Sequence, residues 1–146
     1  MRITRKLFGN LIAISAVSGL FAVGQEASGQ EKGQAKPEIT ITIVPPSSEG
    51  GPDRTEPIAG MVKGVDFRAH RVVVYAFAGN RWWVQPTTAS PRTPIDAKGN
   101  WETDTHLGRR YAAALVTPSF KPKDVADALP EIGKDVLVID EVPGKR

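Results

Sequence analysis

The region from Arg71 to Phe120 constrains the fold more than any other part of the chain. It consists of short runs of β-branched and aromatic residues separated by Gly, Pro, Asn and Asp. All three Trp residues and both Tyr residues of the chain lie within it. Short apolar runs bounded by turn formers are typical of antiparallel strands joined by tight connections. This region therefore predicts an all-β domain.

Similar runs on both sides of this region extend the pattern. ITITIV at 39–44 ends at a pair of prolines, IAGMVKGVDF follows at 58–67, and KDVLVIDEV at 134–142 comes last. Together they predict an antiparallel β-sandwich of immunoglobulin-like dimensions with about seven or eight strands. RVVVYAFA at 71–78 is apolar on both faces, as expected of a central strand that is covered on both sides. The segment 123–129 has apolar residues at helical spacing, which predicts one short helical turn there.

The N-terminal residues 1–29 have the pattern of a secretory signal peptide. Three basic residues precede an uncharged apolar stretch, and Ala27-Ser28-Gly29 offers small residues at a cleavage site. We expect a flexible leader at 30–37 and a single β-sandwich domain at 38–146. The protein is then exported, to the periplasm or the extracellular space. The alternative is an uncleaved segment, which would be the only contact with a membrane.

Charge and cysteine content exclude several classes of function. Residues 1–29 carry three basic residues and one acidic residue, so the rest of the chain has 16 basic and 15 acidic residues. A nearly neutral domain without long Lys/Arg runs lacks the basic surface of a nucleic-acid-binding protein. There is no Cys, which excludes disulfides and thiol chemistry.

Neighbouring aromatic residues suggest a ligand-binding face. Trp82 and Trp83 are adjacent, so on one strand their side chains point to opposite faces. An exposed indole offers a flat apolar surface on which a sugar ring can stack. The predicted ligand-binding residues are therefore Tyr75, Arg81, Trp82, Trp83 and Gln85. The alternative is that both Trp side chains pack, one inside the sandwich and one beneath the Pro-rich 86–94 segment.

The remaining candidates for chemistry are weak. Glu102, Asp104 and His106 alternate and would share one strand face, where carboxylates could act in hydrolysis or hold a metal. Alternation of this kind is also the ordinary pattern of a solvent-facing strand, with Trp101 in the core. Asp96 begins a segment that resembles a calcium loop only superficially, so we expect a turn. We therefore predict no catalytic residue, no metal and no cofactor.

Five short motifs between Ile58 and Val142 carry a resemblance. They are WVQP at 83–86, TPI at 93–95, GNW at 99–101, THLG at 105–108 and YAAALV at 111–116. Their pattern resembles a poorly characterised bacterial exported β-sandwich module that is found alone or beside glycoside hydrolases. The resemblance implies a secreted accessory or binding domain rather than an enzyme.

Three functional hypotheses follow for this chain. The first is an exported non-catalytic module that acts through protein–protein interaction or as a structural domain. The second is a carbohydrate-binding module that uses exposed aromatic side chains. The partner would be an envelope or extracellular protein in the first case, and a polysaccharide in the second. The least favoured is a hydrolase that uses Glu102, Asp104 and His106.

Overall fold

The computed structural model describes residues 35–146, and nearly all its regular structure is β-strand. The predicted signal peptide and most of the predicted leader lie outside the described residues. A three-residue 3₁₀ helix spans Phe67–Ala69. The strands are β1 (Glu38–Ile43), β2 (Thr55–Lys63), β3 (Arg71–Ala78), β4 (Arg81–Gln85), β5 (Asn100–His106), β6 (Arg110–Val116), β7 (Val125–Ala126) and β8 (Val136–Pro143).

The strands form two antiparallel sheets, which confirms the predicted β-sandwich. One sheet has the order β1-β2-β5 and the other has the order β7-β4-β3-β6-β8. In an immunoglobulin fold the first, second and fifth strands share one sheet, while the third and sixth share the other. This chain follows that division. Its fourth strand, however, pairs with β3 and does not join β5 in the smaller sheet.

A first core lies between the two sheets. β1 packs against β6 and β8, and β5 packs against β3 and part of β4. Trp101 is 2% exposed within this core, as the sequence predicts. The other fully or nearly fully buried members are Ile39, Ile41, Ile58, Val62, Val72, Val74, Ala76, Ile95, Tyr111, Ala113 and Leu115.

A second core covers the outer face of the five-stranded sheet. It contains Val73, Tyr75, Trp82, Val84, Ala112, Ala114, Val116 and Val136. Phe120 and Leu129, from the connection between β6 and β8, pack against it. This explains why both faces of β3 are apolar: one faces the other sheet, and the second faces the 117–135 connection.

The 117–135 connection differs from the sequence prediction in one element. The expected helical turn at 123–129 is wrong, because Val125 and Ala126 form β7 and pair with Trp83 and Trp82 of β4. Two prolines bound this segment, at 122 and 130, and leave little room for helical hydrogen bonds. The backbone of this segment forms hydrogen bonds with the edge of β4 instead. Val84 N, for example, donates to Asp124 O at 3.0 Å.

Tyr111 fastens the start of β6 to the chain before β2. Its ring is fully buried, and its hydroxyl donates to Pro46 O at 2.7 Å and accepts from Gly108 N at 3.0 Å. A tyrosine in this position, bonded to backbone just upstream, is the tyrosine corner of immunoglobulin-like sandwiches. Ala113 lies two residues later, where antibody domains carry the second disulfide cysteine. The tyrosine therefore holds the corner in a domain that has no disulfide.

Within residues 35–146 no helix has the length and apolar character needed to cross a membrane.

Tyr111→Phe should lower the free energy of unfolding by about 1–3 kcal/mol, because two backbone groups lose their partner in a buried place. Urea denaturation measures this change. Tyr75→Phe is the matched control: Tyr75 is also buried, at 3% exposure, but its hydroxyl forms no hydrogen bond with another described residue, and burial raises its pKa. An equal loss of stability in both variants would contradict the role of the Tyr111 hydrogen bonds.

Gly60→Ala should destabilise the smaller sheet by about 1–3 kcal/mol or more, through overpacking. Gly60 lies in the middle strand, between Ile41 and Trp101. An added Cβ would overlap Thr40 O and come within 2.6 Å of the Trp101 ring. Gly133→Ala is the control, since nothing lies within 4 Å of a Cβ there. Unchanged thermal unfolding of Gly60→Ala would refute this account.

Candidate functional site

The difference in width between the two sheets exposes part of the inner face of β4. Neighbouring strands lie roughly 4.8 Å apart, so three strands cover a band about 10 Å narrower than five. β1 lies over the β8 side, and β5 reaches only the near side of β4. The part of the inner face of β4 that lies beyond β5 therefore has no sheet above it.

An open cleft of about 550 Å³ occupies this uncovered area. A volume of this size lies within the roughly 300–1,000 Å³ of ordinary small-molecule sites. Its floor comes from β3 and β4, and loops form the walls. The lining residues are Gly51, Pro52, Ala76, Ala78, Gly79, Trp83, Val84, Gln85, Pro86, Thr87, Thr88, His106, Leu107 and Asp124.

Trp83 is the largest side chain of the cleft and is held in place. It is 45% exposed, and its indole Nε1 donates to Ala78 O at 2.9 Å. This bond joins the two strands of one hairpin, in which Trp83 pairs with Ala76. An aromatic ring fixed in this way loses little further conformational freedom when a ligand stacks on it.

Gln85 and His106 connect the two sheets at the inner end of the cleft. The Gln85 side chain is buried, and its Oε1 accepts from His106 N at 2.9 Å. A backbone N–H can only donate, so the Gln85 atom facing it must be the oxygen. The same oxygen lies 2.9 Å from His106 Nδ1. In the neutral imidazole the proton is therefore on Nδ1, and Nε2 is left as an acceptor.

The loop before β2 forms one wall of the cleft and is anchored by backbone bonds. Ser48 N donates to Gly108 O at 3.0 Å. Gly50 has a positive φ of 97°, and a Cβ there would come within 2.6 Å of the Ala78 Cβ. Only glycine lets the loop approach the floor this closely. Both carboxylate oxygens of Glu49, next to it, accept hydrogen bonds from Nε and Nη2 of the exposed Arg109 guanidinium.

The five predicted ligand-binding residues divide between two faces of the sheet. Trp83 and Gln85 line the cleft together. Tyr75 and Trp82 point to the opposite face, into the second core. Arg81 pairs with Asp127 at 3.0 Å at the start of β4. A ligand on Trp83 can therefore contact Gln85 but not Tyr75 or Trp82.

Trp82 is covered by neighbouring side chains. It is 4% exposed, and its ring centroid lies 5.0 Å from that of Phe77. The Arg110 guanidinium stacks over both rings, 4.3 Å from the Phe77 centroid and 5.1 Å from that of Trp82. Trp82 thus packs beneath a cation and the 117–135 connection, on the other face of β4 from Trp83.

The carboxylates of β5 are exposed to solvent, whereas its histidine is half-buried. Glu102 and Asp104 are exposed, as expected of a solvent-facing strand. His106 is half-buried, and its hydrogen bonds are to Gln85 rather than to either carboxylate. Among residues 35–146 no group of three or more His, Cys, Asp or Glu could hold a metal ion.

Asp96 organises the turn before β5, as predicted. Its Oδ1 accepts from Lys98 N at 2.8 Å and from Asn100 N at 2.9 Å. These backbone donors, that of Asn100 first, lower the pKa of Asp96 below its ordinary value. The carboxylate is thus engaged by the turn itself.

Several lining residues could not be recognised from the sequence. Pro52, Thr87, Thr88 and Asp124 come from three separate connections that meet only in the folded chain. None belongs to a motif, and each residue type is common in loops. The sequence placed His106 at the end of the alternating series of β5. It could not predict the bond to Gln85, because that bond joins residues of different sheets.

Gln85→Leu should remove the Nδ1–H tautomer of His106, because the acceptor that fixes it is lost. Long-range ¹H–¹⁵N NMR correlations of the imidazole measure the tautomer. His70 is an internal control: its Nδ1 faces Asp66 O at 2.8 Å and should keep its proton in the variant. An unchanged His106 spectrum would show that Gln85 does not set the tautomer.

Comparisons of the chain with family models, with curated proteins and with solved structures found no match. The fold assignment therefore rests on strand order and register, and any functional assignment rests on the cleft.

Proposed function

We propose that this protein is an exported, non-catalytic binding module that holds a carbohydrate in the Trp83 cleft. The observation that carries the proposal is the exposed indole of Trp83, fixed by its bond to Ala78 O. The CH face of a pyranose ring is flat and apolar, and an indole is its natural stacking partner. The bacterial module that the sequence resembles supports the same reading.

Polar groups around the indole fit a hydroxylated ligand. Thr87 and Thr88 are exposed at the rim, and Asp124 offers a carboxylate there. His106 also lines the cleft. Its Nε2 can accept a hydrogen bond, because the proton of the neutral ring lies on Nδ1, next to Gln85 Oε1. Sugar hydroxyls both donate and accept, so a stacking floor with a mixed polar rim suits them. The remaining surface is apolar, as is usual in binding pockets.

The arrangement favours binding over hydrolysis. A glycosidase of the common type places two carboxyl groups on either side of the bond to be cleaved, roughly 5–10 Å apart. Asp124 is the only carboxylate among the residues that line the described cleft. Glu102 and Asp104 belong to an exposed strand face and do not line it. The proposed mechanism is stacking and hydrogen bonding, with no bond broken.

Trp83→Ala should weaken retention on the bound polysaccharide by about tenfold or more, because the stacking surface is lost. Affinity electrophoresis through gels that contain single polysaccharides measures this. The free energy of unfolding should change by only about 1 kcal/mol, since the side chain lies half in solvent. Trp83→Phe should keep part of the affinity.

Met61→Ala is the matched control, because Met61 is a large apolar side chain of similar exposure, at 40%, on the other sheet. It should bind like the unaltered protein. If no polysaccharide in a broad panel retards the protein, or if Trp83→Ala is retarded equally, the carbohydrate proposal is wrong.

One observation favours protein interaction as a second candidate function. Pro57 lies opposite Asp104 and has no N–H to donate to it, so this pair is one that exchanges no hydrogen bonds. The backbone N–H and C=O of Asp104 therefore point away from β2. The open side of β5 is therefore an edge on which an extended segment of an envelope protein could pair. The exposed Glu102 and Asp104 side chains would select a basic segment. Capture of a partner that is lost in Asp104→Pro, but not in Trp83→Ala, would support this candidate.

A further inference from the structure

A second cavity lies on the outer face of the five-stranded sheet, separate from the Trp83 cleft. Its volume is about 430 Å³, and the 117–135 connection forms most of it. No residue is shared with the first cleft. It is lined by Tyr75, Phe120, Lys121, Lys123, Ala126, Asp127, Ala128, Leu129, Pro130 and Glu131.

Tyr75 lines this cavity and is its most buried lining residue. The residue is 3% exposed, and its side chain belongs to the outer-face core. No hydrogen bond joins its hydroxyl to another of the described residues, whereas the Tyr111 hydroxyl has two such bonds. Burial raises the pKa of Tyr75 above its ordinary value, so the hydroxyl stays protonated and can donate. This hydroxyl is not among the fully buried, unpartnered side-chain atoms of residues 35–146, so it is accessible to solvent or to a ligand in the cavity that can accept from it.

The rim of the cavity has cations that are not engaged elsewhere by the described residues. Lys121 and Lys123 are both exposed, and neither forms an ion pair within 35–146. Asp127 is paired with Arg81 at 3.0 Å, which leaves Glu131 as the opposing charge. The apolar part of the lining comes from Phe120, Leu129 and two alanines.

We propose that this cavity binds a small apolar molecule that carries a carboxylate. The apolar body would lie against Phe120 and Leu129, and a carboxylate oxygen would accept from the Tyr75 hydroxyl. Lys121 and Lys123, which line the same cavity, would pair with the negative charge of that carboxylate. A carboxylate satisfies a donor and two cations at once, which neither a hydrocarbon nor a cationic ligand does.

The test uses 2-naphthoate as the probe, with the neutral 2-naphthylmethanol as its uncharged analogue. Binding to the purified protein is followed by calorimetry and by NMR shifts of the Leu129 and Ala126 methyl groups. We expect saturable binding of 2-naphthoate, weaker binding of the alcohol, and a loss of affinity as salt is added. Tyr75→Phe should weaken 2-naphthoate binding by about three- to tenfold, the effect of one hydrogen bond.

Two lysine variants separate a local charge effect from a general one. Lys121→Gln with Lys123→Gln should weaken 2-naphthoate binding and leave the alcohol unaffected. Lys63→Gln with Lys98→Gln removes the same charge from exposed positions outside the cavity and should change neither. Trp83→Ala should bind 2-naphthoate normally, so failure of this proposal is distinct from failure of the carbohydrate proposal. Absence of methyl shifts at millimolar 2-naphthoate, or equal affinity of Tyr75→Phe, would overturn it.

Discussion

The sandwich depends on one geometric constraint: a three-stranded sheet cannot cover a five-stranded one. Each strand adds roughly 4.8 Å of width, so about 10 Å of the larger sheet extends beyond the smaller. β1 and β5 lie over β8, β6, β3 and the near side of β4, and the rest of β4 has no opposing sheet. The first cleft is the direct consequence, and Trp83 is the side chain that lies in it.

The same sheet needs a cover on its other face, and the chain supplies one without regular structure. On that face β3 and β6 carry five buried apolar or aromatic residues, whose exposure to water would be unfavourable. The 117–135 connection covers these residues with Phe120 and Leu129, and β7 pairs with the edge of β4. Because β7 has only two residues, the connection follows the sheet loosely, and the second cavity lies beneath it.

The two buried tyrosines show how similar side chains take different roles. Both rings are at most 3% exposed, but Tyr111 gives its hydroxyl to the backbone at a corner and Tyr75 does not. The Tyr111 hydroxyl stabilises the corner of a domain whose chain has no Cys to provide a disulfide. The Tyr75 hydroxyl adds nothing to the hydrogen bonding of the described fold, which is why we assign it to a ligand.

The sequence by itself determined the fold class and the inside or outside position of most strand residues. Period-two alternation records which side of a strand faces water, so the burial of Trp101, the exposure of Glu102 and the opposed faces of Trp82 and Trp83 follow from local pattern. Only the tertiary structure decided which of the two adjacent indoles is free, because that depends on which side of β4 has a cover. The bond between Gln85 and His106, and the meeting of three loops around Trp83, join residues of different sheets and connections. Local periodicity contains no information about sheet width or about contacts between distant segments, and these two properties create both cavities.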